Sequence, residues 1–244
     1  MEQDSSIREI IDAHGGSELW NSLGTLEAEV SARGLLFTLK RRPVLDHARI
    51  TVFTHEPKLF FHDFPSPGLT GEFIGEEEVR IVAADTRIVA RRTAPRSAFK
   101  GLRRLVSWDD LDFLYFGGYA TWNYLVTPFL FLREGFRFEL LEPAGGAPPG
   151  SLRLRATFPD DIPTHSRTQV FHFDEKRYLQ RLDYTAEVVG SWARAAHSCE
   201  DYRDFGGLKA PTRRRVRPIF FAEKPLPWPI LVALDIHDIR PVRI

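Results

Sequence analysis

Histidine, tyrosine, cysteine and arginine are the residue types through which this chain could do chemistry, and a few of them fall in suggestive places. His165 stands in Pro163-Thr164-His165-Ser166-Arg167, directly before a strand-like run. An imidazole at a strand mouth, beside a hydroxyl and a guanidinium, could act as a general base; the same place equally suits a hydrogen-bonded loop histidine. Tyr184 alternates with Leu182, Ala186 and Val188 on the more apolar face of its run. If that face is concave, the hydroxyl would orient a ligand or donate a proton in an apolar cavity; otherwise it is a satisfied core tyrosine. His197, Cys199 and Asp201 lie two apart and share a strand face. Alternate positions are about 6.6 Å apart, too far for a direct His197–Asp201 dyad. Cys199 beside His197 could form a thiolate pair, or be a small inert hydrophobe.

Arg213, Arg215 and Arg217 form a ladder that could hold a carboxylate or phosphate. The alternative use is pairing with acids of a neighbouring strand, such as Asp183, Glu187 or Asp201. Asp235-Ile236-His237-Asp238 supplies metal-ligand types without a third ligand at helical or loop spacing. There is no HExxH, CxxC, Walker loop, GxGxxG or GxSxG. The candidate catalytic residues are therefore His165, His197 and Tyr184, with neither metal nor cofactor expected.

These residues need elements to hold them. Ile7, Ile10 and Ile11 at helical spacing, stopped by Gly15-Gly16, predict an N-terminal helix over 6–13. A second short turn follows, with Ser17 as its cap and Leu19, Trp20 and Leu23 as its apolar face. The period then changes to two. Leu26, Ala28, Val30 and Ala32 alternate with polar residues, and Leu35/Phe37/Leu39, Ala48/Ile50/Val52, Leu59/Phe61, Val79/Ile81 and Ile88/Ala90 extend the pattern. After a central break, Phe136/Phe138/Leu140 and Leu152/Leu154/Ala156/Phe158 resume it, followed by long strands over 167–173, 178–189, 194–204, 208–220 and 230–239.

The break is a helix predicted over 108–132, with Ser107 as cap, Asp110 at the third position, and Pro128 as its kink or end. Leu111, Leu114, Tyr115, Gly118, Trp122, Leu125 and Val126 form its apolar stripe. Residues 111–132 hold one charge, Asp112, so the stretch is long and apolar enough to raise a membrane span. Thr121, Asn123, Thr127 and Gly117-Gly118 favour a helix buried by a curved sheet instead. Its aromatic density makes it the expected wall of a pocket. Trp122 would form the wall, Tyr119, Asn123 and Tyr184 the polar anchors, and Tyr115 and Arg213 complete the candidate ligand-binding set.

With 33 basic and 33 acidic residues in 244, no net field recruits nucleic acid or an anionic surface. One cysteine allows no intramolecular disulfide, which fits a reducing compartment. No repeat or linker divides the chain, so residues 1–244 are expected to form one domain.

Ala13-His14-Gly15-Gly16 through Trp20, then Leu23-Gly24-Thr25-Leu26 and the run 27–34, resembles the opening of the LolA/LolB-like lipoprotein-carrier superfamily. The order of elements along the chain is similar too. The resemblance implies a mainly β, α+β fold: a large curved antiparallel sheet, a half-barrel, wrapping a central helix plus an N-terminal helix. A hydrophobic cavity would lie on its concave side. No family catalytic motif carries over. Carriers of that superfamily use a signal peptide and its anchored members a lipidated cysteine; the acidic start Met-Glu-Gln-Asp reads as neither, so the cytoplasm is expected. In this the chain is similar in kind to VioE, a cytoplasmic member that performs cofactor-free small-molecule chemistry in pigment biosynthesis. The expectation is a binder of a hydrophobic small molecule, with a cofactor-independent biosynthetic enzyme as the catalytic form of that reading. A carrier of lipid-like or acylated cargo and a protein-interaction scaffold are the alternatives. A homodimer stays open, and stable membrane insertion is not expected.

Overall fold

A computed structural model of the chain describes residues 2–101, 107–220 and 224–244. Helices α1 (Glu2–Ala13) and α2 (Ser17–Asn21) lead into strand β1 (Leu23–Arg33), and a helical turn α3 (Leu35–Leu39) follows it. Five strands complete the first half: β2 (Leu45–Phe53), β3 (Lys58–His62), β4 (Leu69–Ile74), β5 (Glu78–Ala83) and β6 (Ile88–Thr93). Helix α4 (Asp110–Val126) crosses to the second half. That half holds β7 (Arg137–Leu141), β8 (Leu152–Thr157), β9 (Thr168–Phe173), β10 (Leu179–Thr185), β11 (Arg194–Phe205), β12 (Leu208–Pro218) and β13 (Val232–Arg243).

All thirteen strands form one curved antiparallel sheet, in the order β6-β5-β4-β3-β2-β1-β13-β12-β11-β10-β9-β8-β7. Each half is a meander, and the seam between the halves pairs β1 with β13, as in Ala28 opposite Ile239. This topology explains α4. The chain leaves the sheet at one edge, β6, and re-enters at the other, β7, so the link must traverse the concave face. A helix covered on most sides has to be apolar on most sides, and thirteen of its seventeen residues are buried. Among the described residues no helix is long and apolar enough to cross a membrane.

The helix is seated by two glycines facing one another's neighbours. A Cβ on Gly118 of α4 would sit 2.5 Å from the Phe73 side chain, and one on Gly71 of β4 would sit 3.0 Å from Leu114. Helix and strand approach this closely only without side chains there. The start of α4 is fixed by a capping box in which Asp109 accepts from the Asp112 amide and Asp112 accepts from the Asp109 amide. Arg92 of β6 binds both carboxylates at 2.6 Å.

Several expectations shift. The helix predicted over 108–132 runs only from Asp110 to Val126: Thr127, before Pro128, is extended as proline demands, and a 3₁₀ turn covers Phe129–Leu132. The cap is Asp109, two residues later than Ser107, because Asp112 supplies the reciprocal bond. Ser17 is the first helical residue of α2 and Gly16 its cap. Leu35/Phe37/Leu39, expected as strand, is helical. The chain turns at Gly34, whose φ of 136° and the 2.5 Å at which a Cβ there would meet the Leu231 carbonyl oxygen both require glycine. The run 178–189 stays in the sheet only from Leu179 to Thr185, and the rest forms a turn.

Candidate functional site

Between α4 and the concave face lies a cavity of about 280 Å³. It exists because of the sequence of α4. The stripe Leu114, Tyr115, Gly118, Trp122, Leu125 and Val126 is buried against other parts of the fold. The cavity is bounded by a different stripe: Phe113, Phe116, Gly117, Ala120, Thr121 and Tyr124. Gly117, Ala120 and Thr121 recur at helical spacing, and their small side chains leave space where larger ones would fill it. Phe61, Ala195, Val216 and Leu234 of the sheet form further walls. At the mouth stand Leu39, Trp192 and Phe220, three large apolar side chains that are mostly exposed.

One corner of this apolar space is polar. Tyr124, His165 and Tyr184 all line it. His165 lies between two hydroxyls, with Nδ1 3.1 Å from Tyr119 and Nε2 2.7 Å from Tyr124. The Tyr124 hydroxyl is 3.0 Å from that of Tyr184, giving a chain Tyr119–His165–Tyr124–Tyr184. Asn123 anchors the loop that carries His165: its amide donates to the Pro163 and Tyr119 carbonyls at 2.7 Å each. Burial pushes His165 down to about 3, with the Arg96 charge acting the same way, so the ring is neutral near pH 7. Burial raises the Tyr184 and Tyr124 hydroxyls above the usual phenol range.

The other sequence-chosen residues fall elsewhere. His197 is fully buried under the Tyr124 ring, 4.3 Å between centroids, outside the cavity lining. Neither of its ring nitrogens has a hydrogen-bond partner among the described residues, and burial, Arg214 and His165 hold it well below its usual value. Tyr115 donates to Glu76 at 2.6 Å, beside Arg96. Trp122 donates to the Phe53 carbonyl at 2.8 Å and lies outside the cavity lining. Arg213 is on the outer face, 3.8 Å from Glu200, which the register sets opposite it. Arg215 pairs with Asp235 at 2.6 Å. The acids nominated for this ladder are engaged differently: Asp183 with Arg181 and Glu187 with Arg96.

Asp201 does not share a face with His197 and Cys199. A positive φ of 57° breaks the alternation there, leaving Asp201 exposed while the Tyr202 hydroxyl reaches His14 at 3.3 Å. His237 is taken by Ser31 at 2.8 Å and stacks on His47. Among the described residues no three His, Cys, Asp or Glu side chains gather as a metal site.

Two residues central to the corner were not singled out from the sequence. Tyr124 is one of six aromatic residues on α4. Its signal lay in the small residues three, four and seven positions before it, which mark the face that is not packed. Arg214, hidden within the basic run, turns inward and is 1% exposed. It donates to the Tyr124 carbonyl at 2.6 Å and to the Cys199 sulfur at 3.2 Å. That carbonyl is among the last four of α4, which lack helical partners and carry the negative end of the dipole.

No family model and no curated protein matches the sequence. Solved structures do match. A LolA superfamily protein from Nitrosomonas europaea is similar over 98% of this chain and 93% of its own, with 12% identity and a TM-score of 0.53. A DUF1329 family protein from Desulfovibrio piger is similar over 98% of this chain and 92% of its own, with 12% identity and a TM-score of 0.51. With likeness to both running along nearly its whole length, the chain has the LolA-like half-barrel fold.

Proposed function

We propose that this protein binds a hydrophobic small molecule, or the acyl part of a lipid-like one, in the cavity between α4 and the concave sheet. The observation that carries the reading is the face Gly117-Ala120-Thr121 on an otherwise bulky, buried helix, opening a space of about 280 Å³ with apolar walls and an apolar mouth. Pockets of this kind, with few polar groups placed at one end, are the usual form of small-molecule sites.

Binding is favoured over acid–base catalysis by the state of the polar corner. A histidine held to about 3 is a weak proton acceptor at neutral pH, and tyrosines raised by burial give up protons reluctantly. His165, Tyr124 and Tyr184 therefore serve as hydrogen-bonding groups that orient a ligand. A scaffold role for α4 is disfavoured because the helix is covered by its own fold. The single buried Cys199 suits a reducing cytoplasm.

The test is displacement fluorimetry with N-phenyl-1-naphthylamine on wild type and on Ala120→Leu, which fills the cavity from the helix side. Wild type should enhance probe emission, and the variant should lose that enhancement while keeping its circular dichroism. Equal enhancement by a folded Ala120→Leu protein would overturn the reading.

A further inference from the structure

The chain Tyr119–His165–Tyr124–Tyr184 has three contacts and, with a neutral imidazole, four polar hydrogens: three hydroxyl protons and one ring N–H. One donor is therefore left over whatever the arrangement. The imidazole has one N–H and one lone pair, so it must donate to one tyrosine and accept from the other. In the first arrangement Tyr119 donates to Nδ1, Nε2–H donates to Tyr124, and the spare proton falls on Tyr184 or Tyr124. In the second the order reverses, and the spare proton falls on Tyr119.

The surroundings decide between them. Tyr119 is wholly enclosed, does not line the cavity, and has no acceptor for its hydroxyl other than His165 among the described residues. A buried donor left unbonded costs about 1–3 kcal/mol. Tyr184 and Tyr124 both face the cavity, but the Tyr124 hydroxyl already has His165 and Tyr184 as partners, whereas the Tyr184 hydroxyl ends the chain. Tyr124 therefore donates to Tyr184, which leaves the spare proton on Tyr184, where a ligand can take it. Protonating His165 would not change the outcome at this end. Both ring nitrogens would then donate, Tyr124 would still donate to Tyr184, and the Tyr184 proton would remain spare.

We infer that the cavity selects an apolar ligand bearing one uncharged hydrogen-bond acceptor, a carbonyl, ether or hydroxyl oxygen, which receives the Tyr184 hydroxyl proton. The acceptor is uncharged because neither guanidinium near the corner lines the cavity, and Arg194, which does, is exposed on β11 opposite Thr185. Arg96 binds Glu187 and the Thr164 carbonyl, and Arg214 binds the Tyr124 carbonyl and Cys199. An anion moved into such a space without a partner cation is strongly penalised.

This inference rests on the cavity being a binding site, and the experiment separates the two claims. The probes are 2-acetylnaphthalene, which has a carbonyl, and 2-isopropylnaphthalene, which matches its shape without one. Each is titrated against wild type, Tyr184→Phe and Ala120→Leu. Wild type should bind the ketone about tenfold more tightly than the hydrocarbon, the value of roughly one neutral hydrogen bond. Tyr184→Phe should bring the ratio of ketone to hydrocarbon affinity, measured within the variant itself, to about one. The carbonyl stretch of the bound ketone should lie at lower wavenumber in wild type than in Tyr184→Phe. A ketone preference that survives in Tyr184→Phe, or none in wild type, overturns the acceptor inference while leaving the cavity reading intact. Failure of both probes to bind wild type, or their unchanged binding to Ala120→Leu, overturns both.

Discussion

The rings of His165 and Tyr184 lie face to face, 4.0 Å between centroids and 4° from parallel. One comes from a loop and the other from β10, and they are brought together by Tyr124, which bonds to both. The corner is thus held by stacking as well as hydrogen bonds, which fixes the direction of the Tyr184 hydroxyl before any ligand enters.

Because Asn123 ties the Pro163 carbonyl to α4, Asn123→Ala should release the loop that carries His165. The Pro163 carbonyl loses its donor while the Tyr119 carbonyl keeps its helical one, and a loss of about 1–3 kcal/mol is expected. Urea denaturation measures the loss. Proton exchange at the backbone amides of residues 164–166 should accelerate, and unchanged exchange would show that the loop is held by other means.

The seating of α4 on β4 predicts that Gly118→Ala is destabilising although alanine is the better helix former. Its methyl group meets Phe73 at 2.5 Å and forces the helix outward, at about 1–3 kcal/mol. Gly117→Ala is the control, since its Cβ would make only ordinary contacts from 3.6 Å. It should be neutral or slightly stabilising by thermal unfolding. Equal effects at the two positions would contradict the close approach.

Stability should fall in acid well before carboxylates protonate. His165 is held at about 3 and His14 at about 4, both chiefly by burial, against an unfolded value near 6.5. His165 faces Tyr119, Tyr124, Tyr184 and Phe116, with Arg96 as the charge acting on it. Between those pH values the unfolded chain binds more protons than the folded one, so stability rises with pH and is lost as pH drops below about 6.5. The slope approaches about 1.4 kcal/mol per pH unit for each such histidine. Denaturation midpoints at about pH 7 and about pH 5 test it, and the ring C–H resonances of His165 should not titrate over that interval.

Cys199 is fully buried, its thiol is raised by burial, and Arg214 covers its sulfur. Alkylation by iodoacetamide should therefore be negligible in the native protein and should follow the unfolding transition in urea. Rapid modification of folded protein would show that this part of the sheet opens locally.

Much of the sheet was legible because a one-sided strand writes its burial as a period of two. Leu26, Ala28 and Val30 did so, and so did Leu154 and Ala156. Strand β4 left a weaker trace, since its inward position at Gly71 has no side chain to count. Leu35–Leu39 misled because a five-residue run with four apolar residues fits either period. His165 and Tyr184 were visible as chemistry-bearing residues, but their meeting was not: it depends on Tyr124, Asn123 and a loop packing across some 60 residues of chain. The cavity face of α4 was obscured for a related reason. The eye is drawn to bulky residues, whereas an open space is written in small ones.

The seam between β1 and β13 has a consequence for the life of the chain before it is folded. Strand β1 is made early, pairs with β2, and then presents its other edge, unpaired, until residues 232–243 emerge from the ribosome. Exposed strand edges recruit other strands. Synthesis should therefore pass through a long interval in which the N-terminal meander is prone to self-association, and in which a chaperone that shields Leu23–Arg33 would matter more than one acting on any later strand.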